Sequence, residues 1–239
     1  VNSDSPMLYN LIKNMKKNKI ISFGRKKDAD YTFEILKNKY IAIKLFKKNK
    51  ELGIIKSKLV GEFNGYNLAA STILALELGI KIEEIKKLSE KPKAPTRRFE
   101  TIVNNKRIQI IDDYAHHPTA IKAIRNNIKS NFKNENVILI FQPHRFSRTK
   151  ILLKDFIQEL SLWDTLYLVD IYSAFEKKQV DILNLFKKIK KANPSAQYFK
   201  NKETLIKKII SKSKDKKYTI LTMGAGDIRD VGVKLKKRV

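Results

Sequence analysis

The chain contains 239 residues, of which 42% are apolar, and it has no cysteine. This length suits one large domain or two modest ones, and the apolar fraction excludes a disordered chain. The lack of cysteine excludes a disulfide framework and a thiolate zinc site. It also suits a reducing compartment, so we expect a cytoplasmic protein. No apolar run approaches the ~18–20 residues of a membrane span, and the first residues lack the pattern of a signal peptide.

The net charge of +27 comes from 51 lysines and arginines against 24 acidic residues. A surplus of this size is one sign of nucleic-acid binding, and a basic nucleic-acid-binding module is an alternative interpretation. The lysines are scattered without a basic block, which favours solvated helix faces, so we expect no nucleic-acid partner. The arginines are more specific. Arg97 with Arg98 and Arg145 with Arg148 form two close pairs, and a guanidinium binds carboxylate or phosphate at two points.

The first ninety residues predict a small antiparallel sheet followed by helices. The strands are short alternating segments with turn signals at 37–39 and 48–51, and they fall at 20–24, 31–36, 40–48 and 51–59. A packed helix within 61–80 ends at Gly79, and a shorter helix is expected at 82–89. The two prolines in 89–96 mark a boundary, so we expect domains at 1–90 and 95–239.

The second domain alternates strands with helices. After a hairpin about Asn104 and Asn105, the expected elements are strand 107–112, helix 118–131, strand 136–141, helix 149–161, strand 165–170, helix 181–191, strand 196–199, helix 202–213, strand 218–223 and a helix from about 226. Repeated units of this kind with apolar strands predict an α/β, Rossmann-like, mostly parallel doubly wound sheet.

Three polar segments follow strands of this sheet: DDYAHHP (112–118), QPHRFSRT (142–149) and GAGD (224–227). Loops after the carboxyl ends of parallel strands gather along one edge, where ligands bind. All three histidines of the chain and one arginine pair lie in these segments. GAGD alone is a weak signal, because its glycines and Asp227 equally fit a turn and a helix cap. Together the three segments predict one site at this edge.

Five motifs, in this order and spacing, resemble those of the Mur ligases of peptidoglycan synthesis: GEFNGYNLAAS, APTRRFE, DDYAHHPTAI, FQPHRFSRT and GAGD. The resemblance covers almost the whole chain. FQPHRFSRT is the most specific run, and it is typical of the members that join L-alanine to UDP-N-acetylmuramate. DDYAHHPT is less specific, because murein peptide ligases carry a similar run. Another Mur-type amide ligase of that kind is therefore the alternative within the family.

The resemblance implies a three-domain ligase of cell-wall synthesis. Residues 1–90 would be the end of the central ATPase domain, preceded in the family by the phosphate loop, and 95–239 the Rossmann-like C-terminal domain. No G-x-x-x-x-G-K-[ST] occurs in the sequence, which opens on Val1 and polar turn residues. We therefore expect a piece of a longer protein that is inactive alone. ATP and Mg²⁺ would be the cofactors, with the Mg²⁺ ligands upstream and no metal ligand here. The oligomeric state stays open.

Such ligases phosphorylate a carboxylate with ATP, and an amine then attacks the acyl phosphate. The resemblance implies that Arg145 and Arg148 contact the reacting end of the substrate, where fixed cations stabilise developing charge. It implies that His116 lies near substrate and phosphates, where an imidazole can donate to an acyl phosphate oxygen. His117 fits a helix start equally well, and His144 fits a role in shaping its loop.

The resemblance also implies nucleotide contacts in the second domain. Asp113 would accept from the ribose hydroxyls, although Asp112 cannot be separated from it by sequence. Arg98 would contact ATP phosphates, whereas Arg97 is expected on the surface. Tyr114 would lie against the nucleotide, with a half-buried loop tyrosine as the alternative.

In the first domain, Asn64 and Asn67 begin a helix, and the resemblance implies that one of them, preferably Asn67, reads the adenine edge. Helix capping is the alternative for Asn64. Three positions depart from the family pattern. Phe63 replaces a usual histidine, Gly65 a usual apolar residue, and Phe175 a common glycine.

Overall fold

The computed structural model describes residues 1–13, 15, 20–26, 28–36, 40–91, 95–132, 136–213 and 216–239. Two compact units make up the chain, Val1–Lys93 and Ala94–Val239, each with a hydrophobic core of its own. The turn expected at 37–39 and part of the boundary segment 89–96 lie outside the described residues. No helix in the described ranges is long and apolar enough to cross a membrane.

The first unit contains a small sheet with helices. Its elements are α1 (Pro6–Lys13), β1 (Phe23–Gly24), β2 (Tyr31–Leu36), β3 (Ala42–Lys47), β4 (Lys50–Lys56), α2 (Glu62–Glu77) and α3 (Ile82–Ser89). Alternate side chains of β2 and β3, among them Phe33 and Leu45, pack against Leu68 and Ile73 of α2. The sheet order is β1-β2-β3-β4.

The prediction of a wholly antiparallel sheet was wrong for β1, which pairs with β2 in parallel over two residues. The cause lies in the short link between the two strands. The Asp30 carboxylate accepts from the Ser22 backbone N–H at 2.8 Å and from the Ser22 hydroxyl at 2.7 Å. These bonds bring the start of β2 back beside the start of β1, so the two strands run in the same direction.

The second unit is a six-stranded sheet with helices. Its described elements are β5 (Glu100–Asn104), β6 (Ile108–Asp113), α4 (Pro118–Asn131), β7 (Asn136–Phe141), α5 (Phe146–Ile151), α6 (Leu153–Leu160), β8 (Leu166–Val169), α7 (Ile182–Ala192), β9 (Gln197–Phe199), α8 (Lys202–Lys212), β10 (Tyr218–Met223) and α9 (Arg229–Lys236). The strand order is β5-β6-β10-β7-β8-β9. All neighbours pair in parallel except β5 and β6, which form the expected hairpin.

Helices cover both faces of this sheet. Ile138 and Ile140 of β7 belong to the core that contains Ile209 of α8 and Val231 of α9. Phe141, on the opposite face by strand alternation, packs against Phe156 of α6 at a ring-centroid distance of 5.9 Å. Helix α6 in turn packs against α4 and α7. The predicted mostly parallel, doubly wound sheet is therefore confirmed.

Two helix boundaries differ from the prediction, for local backbone reasons. The helix expected at 149–161 begins at Phe146 and is divided at Leu152, whose φ of −98° and ψ of 24° depart from helical values. The last helix begins at Arg229 instead of near 226, and Ile228 is its N-cap residue. Asp227 therefore does not cap it.

Candidate active site

Four loops meet at the carboxyl edge of the second sheet. They follow β6, β10, β7 and β8, which are neighbours in that order. The insertion of β10 between β6 and β7 carries GAGD between the two histidine segments. A bond from the Gln142 backbone N–H to the Met223 carbonyl, at 2.9 Å, and one from Gly224 to Asp113, at 3.1 Å, join the strand ends.

Four rings at this edge form a continuous column, here called the ring column, which consists of Tyr114, His116, His144 and Tyr172. Ring-centroid distances are 5.3 Å from Tyr114 to His116, 5.6 Å from His116 to His144, and 5.5 Å from His144 to Tyr172. The last pair is stacked, with 12° between the ring planes. The column links the loops after β6, β7 and β8.

Gly226 lies directly against the end of the ring column. A Cβ added there would be 2.5 Å from Tyr172 Cγ and 2.5 Å from Gln142 Oε1, well below contact distance. The glycine is therefore required for the close approach of the GAGD loop to Tyr172. Tyr172 was not singled out from sequence, although its position directly after a strand of the same edge is a usable signal.

His116 and His144 are half-buried and lie among cations. Burial lowers the pKa of His116 below its ordinary value, and the positive charges of Arg148 and Arg98 lower it further. Burial and the neighbouring His116 and Arg148 lower the pKa of His144 in the same way. Both imidazoles are consequently neutral at neutral pH.

Arg145 and Arg148 lie together in the loop after β7 and the first turns of α5. Arg145 is exposed, and its φ of +72° is a left-handed conformation that a non-glycine residue adopts at a cost. Its backbone N–H donates to the Tyr172 carbonyl at 2.9 Å, which holds that conformation. Among the described residues, no side chain pairs with its guanidinium. Arg148 is half-buried, and its Nη1 lies 3.3 Å from the His144 carbonyl oxygen.

Asp113 and Tyr114 lie at the end of β6. Asp113 is only 3% exposed, and its carboxylate accepts from the Ala115 backbone N–H at 2.7 Å and the Phe99 backbone N–H at 2.8 Å. Burial raises the pKa of this carboxyl. The exposed Tyr114 ring lies 4.9 Å from the Arg97 guanidinium and 6.0 Å from that of Arg98. Contacts of Asp113, Tyr114 and Arg98 with a nucleotide stay predictions.

The expectation that Arg97 is a surface residue was wrong. Its side chain is 21% exposed, and its guanidinium donates to Asp112 at 3.2 Å and to the Gly224 carbonyl at 2.5 Å. Asp112 is fully buried and also accepts from Arg229 at 3.0 Å and from the Thr222 hydroxyl at 2.7 Å. These contacts separate the two aspartates, because Asp112 holds an internal ion-pair network whereas Asp113 holds the backbone of the loop at 97–99.

The sequence left alternative roles open for His117 and Asp227, two residues predicted near helix starts. His117 is the N-cap of α4, and its ring accepts from the Thr119 backbone N–H at 3.4 Å. Asp227 binds Gln142 at 2.8 Å and Lys202 at 2.5 Å. His117 thus has a structural role at the helix start, as its position before Pro118 suggested.

In the first unit, Asn64 and Asn67 lie on α2. Gly61, with a φ of +93°, is the N-cap, so the capping alternative for Asn64 was wrong. The Asn64 amide donates to the Val60 carbonyl at 2.8 Å and accepts from Asn67 at 3.2 Å. This bond orients the exposed Asn67 amide, whose contact with adenine stays a prediction.

The loop after β8 carries strain at Phe175. Its φ is +68° and its side chain is fully exposed, so no packing compensates the left-handed backbone. We expect Phe175→Gly to raise the free energy of unfolding of this unit by about 0.5–1 kcal/mol, since glycine removes the Cβ clash but loses some backbone entropy. Urea denaturation followed by the fluorescence of Trp163, the only tryptophan, measures the change.

Phe175→Ala is the matched control, because it removes the ring but keeps the Cβ. Its unfolding midpoint should equal that of the unchanged chain. Equal stability of the glycine and alanine variants would contradict the strain argument.

A cleft of about 710 Å³ opens beside Tyr172, between the loops after β8, β9 and β10. Its charged lining residues are Asp170, Lys200, Lys202, Glu203 and Asp227. Within the described ranges, no group of three or more histidine, cysteine, aspartate or glutamate side chains is arranged to hold a metal ion.

The fold and the site define a class of protein, a Rossmann-like α/β domain with guanidinium and imidazole groups at the carboxyl edge of its sheet. Two family descriptions match the chain: "Mur ligase, glutamate ligase domain" over residues 97–226 and "Mur ligase middle domain" over residues 1–75. The chain therefore belongs to the Mur ligase family.

Known relatives agree with this assignment. The chain is 35% identical over 233 residues to the UDP-N-acetylmuramate–L-alanine ligase of Aquifex aeolicus, covering 95% of the chain and 50% of that protein. It is also 35% identical over 232 residues to the ligase of the same name from Caldicellulosiruptor saccharolyticus, with the same coverage. The crystal structure of the UDP-N-acetylmuramate-alanine ligase of Thermotoga maritima matches with a TM-score of 0.76 at 26% identity, covering 91% of the chain and 47% of that protein. The chain thus spans about half the length of these relatives.

Proposed function

We propose that the chain forms part of an ATP-dependent ligase that joins L-alanine to UDP-N-acetylmuramate through an acyl phosphate, in the cytoplasmic synthesis of peptidoglycan. Residues 1–90 would be the end of the central ATPase domain and 95–239 the C-terminal domain. Because no phosphate-loop motif occurs in these 239 residues, the chain by itself would not catalyse the ligation.

The observation that carries the proposal is the loop at 142–149. It presents the guanidinium of Arg145, which pairs with no described side chain, together with the guanidinium of Arg148 and the His144 ring on one edge, next to His116. Phosphoryl and acyl transfer leave negative charge on oxygens in the transition state, and fixed cations and N–H donors stabilise it there. The names of the relatives that carry 35% identity support the same reaction and its two substrates.

For ATP, the resemblance to the family suggests contacts in each of the two units. The exposed Arg98 guanidinium would bind phosphate, the Tyr114 face would lie against the nucleotide, and Asp113 would accept from the ribose through the lone pairs that its two backbone bonds leave free. Asn67, with Asn64 as its support, would read the adenine edge. Mg²⁺ would be held by carboxylates of the preceding part of the ligase.

The test uses the protein expressed from its complete reading frame. We expect phosphate release that requires ATP, Mg²⁺, UDP-N-acetylmuramate and L-alanine together, and mass spectrometry should detect the alanyl product. Replacing L-alanine with a murein tripeptide distinguishes a murein peptide ligase, which would prefer the peptide. Absence of product with every amino acid and peptide would refute the proposed function. A gel shift with DNA that collapses at moderate salt would then favour the basic nucleic-acid-binding alternative.

A further inference from the structure

We propose that the two neighbouring imidazoles of the ring column act as opposite tautomers in the ligation step. His116 Nε2 would accept the proton of the incoming ammonium group, and His144 Nε2–H would donate a hydrogen bond to the oxygen that gains negative charge. This inference rests on the proposed function and assigns a further catalytic residue, His144, to it.

The tautomer of His116 follows from one contact. Its Nδ1 lies 2.8 Å from the Tyr114 carbonyl oxygen, which can only accept, so Nδ1 carries the proton. In the neutral ring Nε2 then has a free lone pair and no hydrogen. In the neutral ring, Nε2 of His116 therefore cannot donate a hydrogen bond to the acyl phosphate, although the sequence suggested that role. It can instead accept a proton.

The tautomer of His144 follows from an arginine. Arg148 Nη1 lies 3.4 Å from His144 Nδ1 and 3.3 Å from the His144 carbonyl oxygen. A guanidinium has donors only, so Nδ1 of His144 must accept, although this bond is long. The neutral ring then carries its proton on Nε2. With the ring centroids 5.6 Å apart, the pair would then carry one free lone pair and one free N–H on neighbouring rings.

The charged groups around the pair favour neutral rings. Arg148, His117 and Arg98 face His116, and His116, Arg148, Arg145 and Glu176 face His144. Glu176 is the one group in this set that favours protonation of His144. Its carboxylate accepts from the Ser147 hydroxyl at 2.6 Å and the Ser147 backbone N–H at 3.0 Å. These two hydrogen bonds already stabilise its negative charge.

In the proposed step, the ammonium group of L-alanine transfers one proton to His116 Nε2. The amine lone pair then forms the C–N bond to the acyl carbon, while His144 Nε2–H donates to the acyl oxygen. The C–O bond to phosphate breaks and its electron pair leaves with the phosphate. The nitrogen loses its second proton to that phosphate, and His116 releases its proton to solvent, which restores the starting tautomers.

The tautomers can be measured on the 239-residue chain by long-range ¹H–¹⁵N correlation of the imidazole nitrogens. Only three histidines contribute signals, and His117→Gln assigns the one outside the pair. At neutral pH we expect protonated Nδ1 with unprotonated Nε2 in His116, and the reverse in His144. The same tautomer in both rings, or a charged His116, would overturn the inference whatever the enzyme's substrate is.

Activity assays distinguish the proton-accepting role of His116 from the donor role of His144. They use the protein expressed from its complete reading frame. His116→Gln should lower kcat with L-alanine about 100-fold or more, with little change in KM. Trapping of the acyl phosphate by hydroxylamine, which is already a neutral amine, should fall by a far smaller factor. The acid limb of the pH profile, with a pKa below the ordinary ~6.5 of histidine, should disappear.

His144→Phe keeps a ring stacked on Tyr172 but removes the N–H, so it should slow L-alanine and hydroxylamine alike, and His144→Gln should recover part of the rate. His117→Gln, at the helix cap, should leave the rate unchanged. Equal losses with both nucleophiles in His116→Gln would contradict the base assignment. If the wild-type protein forms no product, the proposed function itself is wrong. This result is obtained before any variant is compared.

Discussion

Arg145→Ala is expected to lower kcat/KM of the complete ligase about 100- to 1,000-fold, which is the effect of removing one fixed group that stabilises transition-state charge. The guanidinium is exposed and unpaired among the described residues, and it projects from a backbone held at a φ of +72°. Alanine keeps the Cβ, so the backbone strain is the same in both proteins. Phosphate release measured against each substrate concentration gives the change.

Two further variants serve as controls for this prediction. Arg145→Lys should recover only part of the activity, because an ammonium group cannot bind an anion at two points. Arg107→Ala removes another exposed arginine, at the amino end of β6 on the opposite edge of the same sheet, and should keep the full rate. Wild-type rates for Arg145→Ala would remove this arginine from the site.

Asp112→Ala is expected to lower the free energy of unfolding of the second unit by about 3 kcal/mol, the lower end of the effect of breaking a buried ion pair. The carboxylate is fully buried, and its loss removes one acceptor each from Arg97, Arg229 and the Thr222 hydroxyl. Arg229 keeps its bonds to Glu100 at 2.6 and 3.0 Å, and Arg97 keeps its bond to the Gly224 carbonyl. The partial solvent access of the two arginines, 21% and 28% for their side chains, keeps the loss at that lower end. Urea denaturation followed by Trp163, which is buried in this unit, reports the change.

Asp112→Asn should cost less than alanine, since the amide oxygen still accepts one hydrogen bond. Asp164→Ala removes an exposed carboxylate of the same unit and should change stability by no more than ~0.5 kcal/mol. A loss below ~1 kcal/mol for Asp112→Ala would mean that the network contributes little. In that case Arg97 would be held mainly by its bond to the Gly224 carbonyl.

The local pattern of the sequence was sufficient for the elements of the second unit. The strands expected at 136–141 and 218–223 are β7 and β10, and the helix expected at 118–131 is α4. Continuous apolar runs and a proline at a helix start carry these predictions, because they act over a few residues. The first unit was less predictable, since the direction of β1 depends on side-chain bonds from Asp30 to Ser22.

By itself, therefore, the sequence determined the class of sheet, the edge that carries the polar loops and the residues Arg145, Arg148 and His116 as candidates, because periodicity and residue chemistry are local properties. Only the tertiary structure decided that β10 lies between β6 and β7 and that Asp112 and Arg97 form an internal network. Both depend on residues that are distant in the chain, and such long-range contacts leave no periodic signal in the sequence.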